Sequence, residues 1–382
     1  MADLERVIVV GGGVGGLTVA LALKQAGIPV EVHEKYPHPA GRATGFTLWS
    51  YAIRHLQDLG LDDPTRIGSP IEFTEIHDQA GDLIEEMPVG EVSRKLGAPS
   101  CDVNRRELQL VAMEVLGEGL VHMGSECVGV EQDGRTATAL LAGGGRAEGS
   151  LVIGADGAHS VTRAEVAPDA KLDYSGFSGW GGVLDGFEHE LLKPGRHVEI
   201  WARGSKGGVA DLGNGSARWY VTRRAPAGAG REPIDKRRIL EHIDGWFELL
   251  RAAVEAADPD SIVSTETWDM EPIETWLDRR LVLLGDSAHL TTPFASMGAC
   301  MTIDDAVNLV SHLTSDASLE DALAAYQSDR KKRDEEVVRK ARRMGRLQQL
   351  HSPLISWLRD EAFEHMPPDK TRQVTAEMAK GE

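Results

Sequence analysis

Residues 7–16 read VIVVGGGVGG, and this stretch limits what the chain can fold into more than any other. Val7 to Val10 form a short β-branched run suited to a strand buried in a parallel sheet. Gly11, Gly13 and Gly16 follow with the spacing G-x-G-x-x-G, and Leu17, Ala20 and Leu21 then share one face of a helical pattern. Gly27 ends that helix, Val30 to Val32 make a second strand, and Glu34 stands at its end, 18 residues past Gly16. Glycines here permit a tight turn and let the backbone approach a pyrophosphate, which a helix N-terminus attracts. An acid at this distance accepts hydrogen bonds from a ribose diol. The stretch predicts a dinucleotide site built on Gly11, Gly13, Val14, Gly15, Gly16, Glu34 and the adjacent Lys35. The plainer alternative is an ordinary strand-to-helix turn, and the motif does not separate NAD from FAD.

The chain does not go on to repeat this unit. IEFTEIHDQAGDLIEEMPV predicts a hairpin turning at Asp78 to Asp82. CDVNRRELQLVAMEVLG predicts a helix with Leu108, Val111, Ala112 and Val115 on one face, and with Arg105 and Arg106 in its first turn. Basic residues there oppose the helix dipole, which hints at a nearby anion. After further turns at Asp133-Gly134 and Gly143 to Gly145, the strand Leu151 to Ile153 ends in Gly-x-Asp-Gly, with Asp156 and Gly157 at its tip. A third apolar run, Leu281 to Leu284, ends in Gly285-Asp286. Three strand tips of this kind, in this order, predict one ligand crevice at the carboxyl edge of an open parallel sheet.

With these motifs the chain resembles the single-component (class A) FAD-dependent aromatic monooxygenases of the para-hydroxybenzoate hydroxylase fold. GRATGFTL, VNRREL and GDSAHLTTPFASMGA are most similar in style to the tetracycline-inactivating flavin monooxygenases and to small aromatic hydroxylases. The resemblance covers residues 3 to about 335 and implies an α/β fold: a discontinuous Rossmann-like FAD-binding domain, an inserted mostly β substrate domain and C-terminal helices. The expected division is 1–72, 101–170 and 270–325 for FAD, 73–100 and 171–269 for substrate, and 326–382 for the helices. It further implies that Glu34 binds the adenosine ribose, that Arg42 and Arg105 lie along the pyrophosphate and flavin, and that Asp156 sits behind FAD and the nicotinamide path. Asp286 would bond the ribityl chain. Pro293, Gly298 and Ala299 would meet the flavin, although Ser296-Met297 replace the family's Gly-Gln and Cys300 stands at its Asn position. By the same resemblance, NADPH or NADH reduces FAD, O2 adds to give a C4a-hydroperoxide, and one oxygen atom passes to a phenolic or polycyclic aromatic, as in secondary metabolism or antibiotic modification. A same-fold epoxidase, reductase or halogenase, or a non-catalytic flavin-binding protein, is the alternative outcome.

The uncharged loop Leu290 to Met297 suits a face that shields a reactive centre from water. From Gly298 a helix is expected, burying Ile303, Ala306, Val307 and Val310, with its N-terminal amides favouring negative charge on a reduced ring. His289 invites a reading as general base, against the alternative of a histidine hydrogen-bonded behind the flavin; no catalytic side chain is assigned. HVEIWARG, GGVADLG and ARWYVTRR predict three consecutive strands. Trp180, Trp201, Trp219 and Tyr220 are candidates for an aromatic pocket or for plain core, while Phe294 and Met297 on the loop are better candidates to touch substrate. SDRKKRDEEVVRKARRMGRLQQL reads as a helix with a solvated face of mixed charge, followed by a last helix packing Ile355, Trp357 and Leu358 on the body.

Composition narrows the partners. Lys plus Arg number 41 against 60 Asp plus Glu, a formal charge of −19, which disfavours nucleic acid and anionic membrane surfaces. No run is long and apolar enough for a membrane span. MADLER lacks a basic n-region and the following apolar run is cut by five glycines, so no signal peptide is expected. Cys101, Cys127 and Cys300 are too scattered for a metal cluster or redox pair. A cytoplasmic monomer or homodimer with reduced thiols, no metal, and a small aromatic substrate and O2 as partners is the expectation.

Overall fold

The computed structural model describes residues 4–39 and 44–381. A six-stranded sheet holds the three strand tips in one row. Its order is Leu277–Asp278, Leu281–Leu283, Leu151–Gly154, Val7–Val10, Val30–Glu34 and Val121–Met123. All neighbours are parallel except the first pair. Val10 pairs with Gly154 and with His33, and Gly154 pairs with Leu283. The register therefore levels Gly11, Ala155, Leu284 and Glu34 along one carboxyl edge. Val7 to Val10 are buried, as a central strand covered on both faces must be.

Two glycines explain how closely the first turn is wound. Gly11 has φ +104° and a Cβ on it would collide with the carbonyl oxygen of Ala155. A Cβ on Gly16 would strike the carbonyl oxygen of Gly11. The helix Val14–Gln25 then lies against the sheet and against the helix Gly298–Leu313.

Over this layer stands a seven-stranded, largely antiparallel sheet in the order Val263–Met270, Leu172–Asp185, Ser216–Arg224, Ser205–Gly213, Arg196–Ala202, Phe73–Asp78 and Leu83–Met87. Period-two alternation separates its faces. Val198, Ile200, Val209, Trp219 and Val221 pack under the helices Lys236–His242 and Glu248–Ala256. His197, Glu199 and Trp201 therefore lie on the opposite face. Two three-stranded sheets complete the β structure: Arg146–Gly149, Ala137–Leu141 and Cys127–Gln132, then Gly45–Leu48, Cys101–Asn104 and Gly68–Pro70.

The 30-residue helix Leu319–Gln348 joins the layers. Near one end the Tyr326 hydroxyl donates to the carbonyl of Leu283; near the other, Gly345 packs on Phe294. This corrects the expectation of a purely solvated charged helix, because Arg330 and Asp334 are buried within it. The last apolar segment is corrected as well. Leu354, Ile355, Trp357 and Leu358 of the helix Pro353–Glu364 face outward, and Arg359 and Phe363 make the contact with the body through Trp201. No helix among the described residues is long and apolar enough to cross a membrane.

Candidate active site

The first tip is organised by Glu34. Its Oε2 accepts from the Gly12 amide at 2.6 Å and its Oε1 accepts from the Tyr36 amide at 2.9 Å. The carboxylate of this buried residue thus sits against the glycine turn, where a ribose beside a pyrophosphate would meet it. Lys35, next in sequence, is exposed and lies over the Tyr36 ring. Gly13 and Val14 begin the helix, and Gly15 lets it close on Leu284 and Thr302, the latter 2.5 Å from where a Cβ would stand.

Across the turn, Asn104 caps the helix Arg105–Leu116 by accepting from the Arg106 amide, and Gln109 donates to the Gly12 carbonyl at 2.8 Å. The Arg105 guanidinium comes within 4.0 Å of a Cβ position on Gly13 and also acts on the charge of Asp286. It is an exposed cation between the first and third tips, where a phosphate would lie. Arg42 falls outside the described residues.

At the second tip, Asp156 spends its carboxylate on local structure. It accepts from the Ser160 and Thr162 hydroxyls and from the Val161 and Thr162 amides, at 2.6 to 3.0 Å, and so caps the helix Val161–Val166. Gly157, at φ +78°, turns the chain beside it. Arg163 then donates to the carbonyls of Ala158, Asp286 and Ser287, which ties the second tip to the third. Nothing in the sequence singled out Arg163.

At the third tip, burial pushes the Asp286 carboxyl up, against the pull of His289, Arg105 and Arg163. Gly285, at φ +65°, brings this corner against Thr302 of the helix Gly298–Leu313. That helix has no side-chain cap, and Gly298 and Ala299 at its start are only partly covered. Its first amides are therefore available to an anionic or carbonyl group.

His289 lies behind this corner. Its Nε2 is 2.6 Å from Asp305, its ring packs on Trp276, and Asp305 also accepts from the Gly285 amide and pairs with Arg330 at 2.8 Å. Burial disfavours the imidazolium, but Asp305 and Asp334 outweigh it and raise the pKa to about 9. His289 and Arg330 in turn hold Asp305 well below the usual carboxylate range despite its burial. His289 is thus buried in a hydrogen bond to Asp305.

The loop after Pro293 closes the other side. Phe294 meets Phe177 edge to face at 5.4 Å, and Met297 is buried among core residues. Trp49 holds the loop by donating from Nε1 to the Ser296 carbonyl, and its amide donates to Cys300 Sγ at 3.3 Å. The fate of the two tryptophans differs. Trp219 belongs to the core beneath the helices of the seven-stranded sheet, on the side away from Phe294. Trp201 lies on the near face but under Arg359 and Phe363, with its Nε1 donating to Glu199.

That near face carries charges which the sequence reading passed over. Lys206 Nζ is 2.7 Å from Glu199 Oε2, and the Tyr220 hydroxyl donates to the same oxygen at 3.1 Å. Burial works against the Glu199 charge, yet Lys206 and His197 outweigh it and keep the carboxyl low. Burial and then Glu199 push the Tyr220 phenol well up, so it remains a donor. Beside them Asp102 accepts from Arg218 at 2.6 Å and faces His197 at 3.0 Å, and Arg218 also reaches Thr47. Lys206 donates to Gln348, whose amide donates to the Phe294 carbonyl at 3.4 Å. The polar set is thus joined to the loop of the third tip. Alternation was the available signal: His197, Glu199 and Trp201 interleave with Val198 and Ile200.

Residues 5–341 match the protein family described as FAD binding domain. The chain belongs to that family. It is 32% identical over 365 residues to the aurachin C monooxygenase/isomerase of Stigmatella aurantiaca, covering 95% of each chain. It is also 32% identical over 368 residues to the 3-amino-4-hydroxybenzoate 2-monooxygenase of Streptomyces cremeus, covering 92% of this chain and 90% of that one. A crystal structure of a single-substitution variant of HpxO from Klebsiella pneumoniae complexed with FAD superposes with a TM-score of 0.90 at 25% identity, over 99% of both chains. The protein is an FAD-dependent monooxygenase of the single-component class, with FAD as its cofactor. The glycine turn, Glu34, the cation of Arg105 and the uncapped helix at Gly298 form a fitting donor and acceptor set for it.

Proposed function

We propose that this monooxygenase uses NADPH or NADH and O2 to hydroxylate a phenolic or polycyclic aromatic held between the Phe294–Met297 loop and the near face of the substrate sheet. The carrying observation is the buried set Glu199, Lys206 and Tyr220, linked through Gln348 to the Phe294 carbonyl. A planar ring bearing a hydroxyl or carbonyl would match its donors and acceptor, with Phe294 and Phe177 covering the apolar part. The S. cremeus relative is named for an aromatic of this kind.

Bound FAD would supply the redox chemistry that activates O2. The protein's residues bind and orient. We assign the ribose to Glu34, the diphosphate to Gly11, Gly13, Val14, Gly15, Gly16 and Arg105, with Lys35 at the rim, and the ribityl hydroxyls to Asp286. The amides at Gly298 and Ala299, with Pro293 before them, would meet the ring edge that becomes negative on reduction. Asp156 and Gly157 fix the second tip through Arg163. Lys206 donates to the substrate's polar edge, Glu199 and the Tyr220 oxygen accept, and the uncharged loop keeps water away. Residues 1–72, 101–170 and 270–325 would form the FAD part and 73–100 with 171–269 the substrate part. Three buried free cysteines support a reducing cytoplasmic setting.

The test is oxidation of NADPH and NADH by the flavin-loaded enzyme with and without a panel of phenols and tetracyclines, followed by mass spectrometry of the products. Stimulation together with a product heavier by one oxygen supports the reading. Stimulation without any oxygenated product would favour a reductase of the same fold.

A further inference from the structure

On the far edge of the parallel sheet, next to the ribose end of the proposed FAD site, two neighbouring strands place three metal-ligating side chains together. Glu31 and His33 project from one face of Val30–Glu34, and His122 of Val121–Met123 is the direct register partner of His33. The imidazole rings stack with centroids 4.9 Å apart and planes 19° from parallel. One ligand atom from each of the three residues lies within 4.8 Å of the other two.

His33 carries the observation that asks for a ligand. It is 6% exposed, and its Nε2 has no hydrogen-bond partner among the described residues. A buried ring nitrogen left unmade is costly, so its persistence calls for an explanation. Its other nitrogen, Nδ1, is 2.9 Å from the Ser125 hydroxyl. A proton on Nδ1 donated to Ser125 would leave the Nε2 lone pair free, and such an outer partner usually fixes a metal-binding histidine. Glu31 is divided: Oε1 pairs with Arg6 at 3.0 Å, while Oε2 faces His33 Nε2 at 3.8 Å.

We propose that Glu31, His33 and His122 bind one divalent transition-metal ion of the zinc, cobalt, nickel or copper type. Two imidazoles and one carboxylate favour these ions over magnesium or calcium, which prefer oxygen alone. Ligands about 2.0–2.2 Å from zinc stand roughly 3.3 Å apart in a tetrahedron, so no pair, all within 4.8 Å, needs to close by more than about 1.5 Å. Side-chain rotation of exposed His122 and half-exposed Glu31 provides that movement, and water completes the coordination. The buried trio His289, Asp305 and Asp334 is a poorer candidate, because Arg330 already neutralises it.

The position gives the site a consequence. The His33 carbonyl accepts from the Gly11 amide at 2.8 Å, and the next residue, Glu34, holds the Gly12 amide. An ion clamping the two strands would steady the support of the glycine turn and slow the loss of FAD.

The test is calorimetric titration of chelator-treated holoenzyme with zinc chloride, with cobalt(II) absorption as the reporter of nitrogen ligation. Wild type is expected to bind one equivalent and to show visible cobalt bands. His122→Asn, at an exposed position, should weaken zinc by about tenfold or more and remove the bands, as even an outer-partner loss costs about tenfold. Glu31→Gln should weaken zinc as well. His365→Asn, in a separate surface group with Glu361 and Glu364, should bind as wild type does. Wild-type binding by His122→Asn, loss of binding by His365→Asn, or no binding by wild type would each overturn the proposal.

Discussion

Lys206 Nζ lies 2.7 Å from Glu199 Oε2 on a sheet face where both side chains are buried. An ion pair so placed is retained at the cost of desolvating both partners, and removing one leaves the other charge stranded. Lys206→Met should therefore destabilise the fold by about 3–5 kcal/mol, while Lys206→Met with Glu199→Leu restores much of the loss. Urea unfolding of the three forms measures this. The double variant should keep FAD and lose substrate-stimulated NAD(P)H oxidation, separating the pair's part in stability from its part in recognition.

Glu34 accepts from two backbone amides, one of them in the glycine turn. Glu34→Ala strands the Gly12 donor and removes the ribose acceptor. FAD affinity should fall by about 1–3 kcal/mol, roughly five- to 150-fold, as read by flavin fluorescence on titration of the stripped enzyme.

His289 gives a pH prediction with a definite sign. Its pKa rises from 6.5 in the unfolded chain to about 9 in the fold, so its stabilisation is complete below pH 6.5 and is lost as pH climbs through 9. Thermal unfolding should show a falling Tm between pH 7 and 10, with the decline reduced in His289→Gln. A bell-shaped turnover profile whose basic limb disappears in that variant would instead make His289 a proton-transfer group.

Gly345 tests the contact between the long helix and the loop. A Cβ there would overlap the Phe294 ring. Gly345→Ala should leave the flavin spectrum unchanged, because the displaced group is a side chain on the substrate side. The KM for the stimulating aromatic should rise several-fold, and steady-state kinetics in both variant and wild type reads that split.

How much of this was legible beforehand differed with the range of the interaction. The three strand tips could be read because each is a local pattern: an apolar run, a glycine and an acid. Their gathering along one edge was expected from the open parallel sheet and is present in the register of Val10, Gly154 and Leu283. Arg163 could not be read, since its three carbonyl acceptors come from two segments more than a hundred residues apart. Trp219 and Trp201 show the limit of residue type alone. Both are buried aromatics, and only the alternation of their strands against two different layers separates core from near face. The helix Leu319–Gln348 misled for a related reason. Its charges looked solvated until Asp305 and Asp304, from another helix, were placed opposite Arg330.

The most direct measurement is the fate of oxygen in a stimulated turnover. The flavin-loaded enzyme would be supplied with NADPH, the best-stimulating phenol or tetracycline, and isotopically heavy O2. One heavy oxygen atom in the product, lost together with stimulation in the Lys206→Met, Glu199→Leu double variant, is the predicted result. Hydrogen peroxide as the sole oxygen product with every aromatic tested would contradict the account.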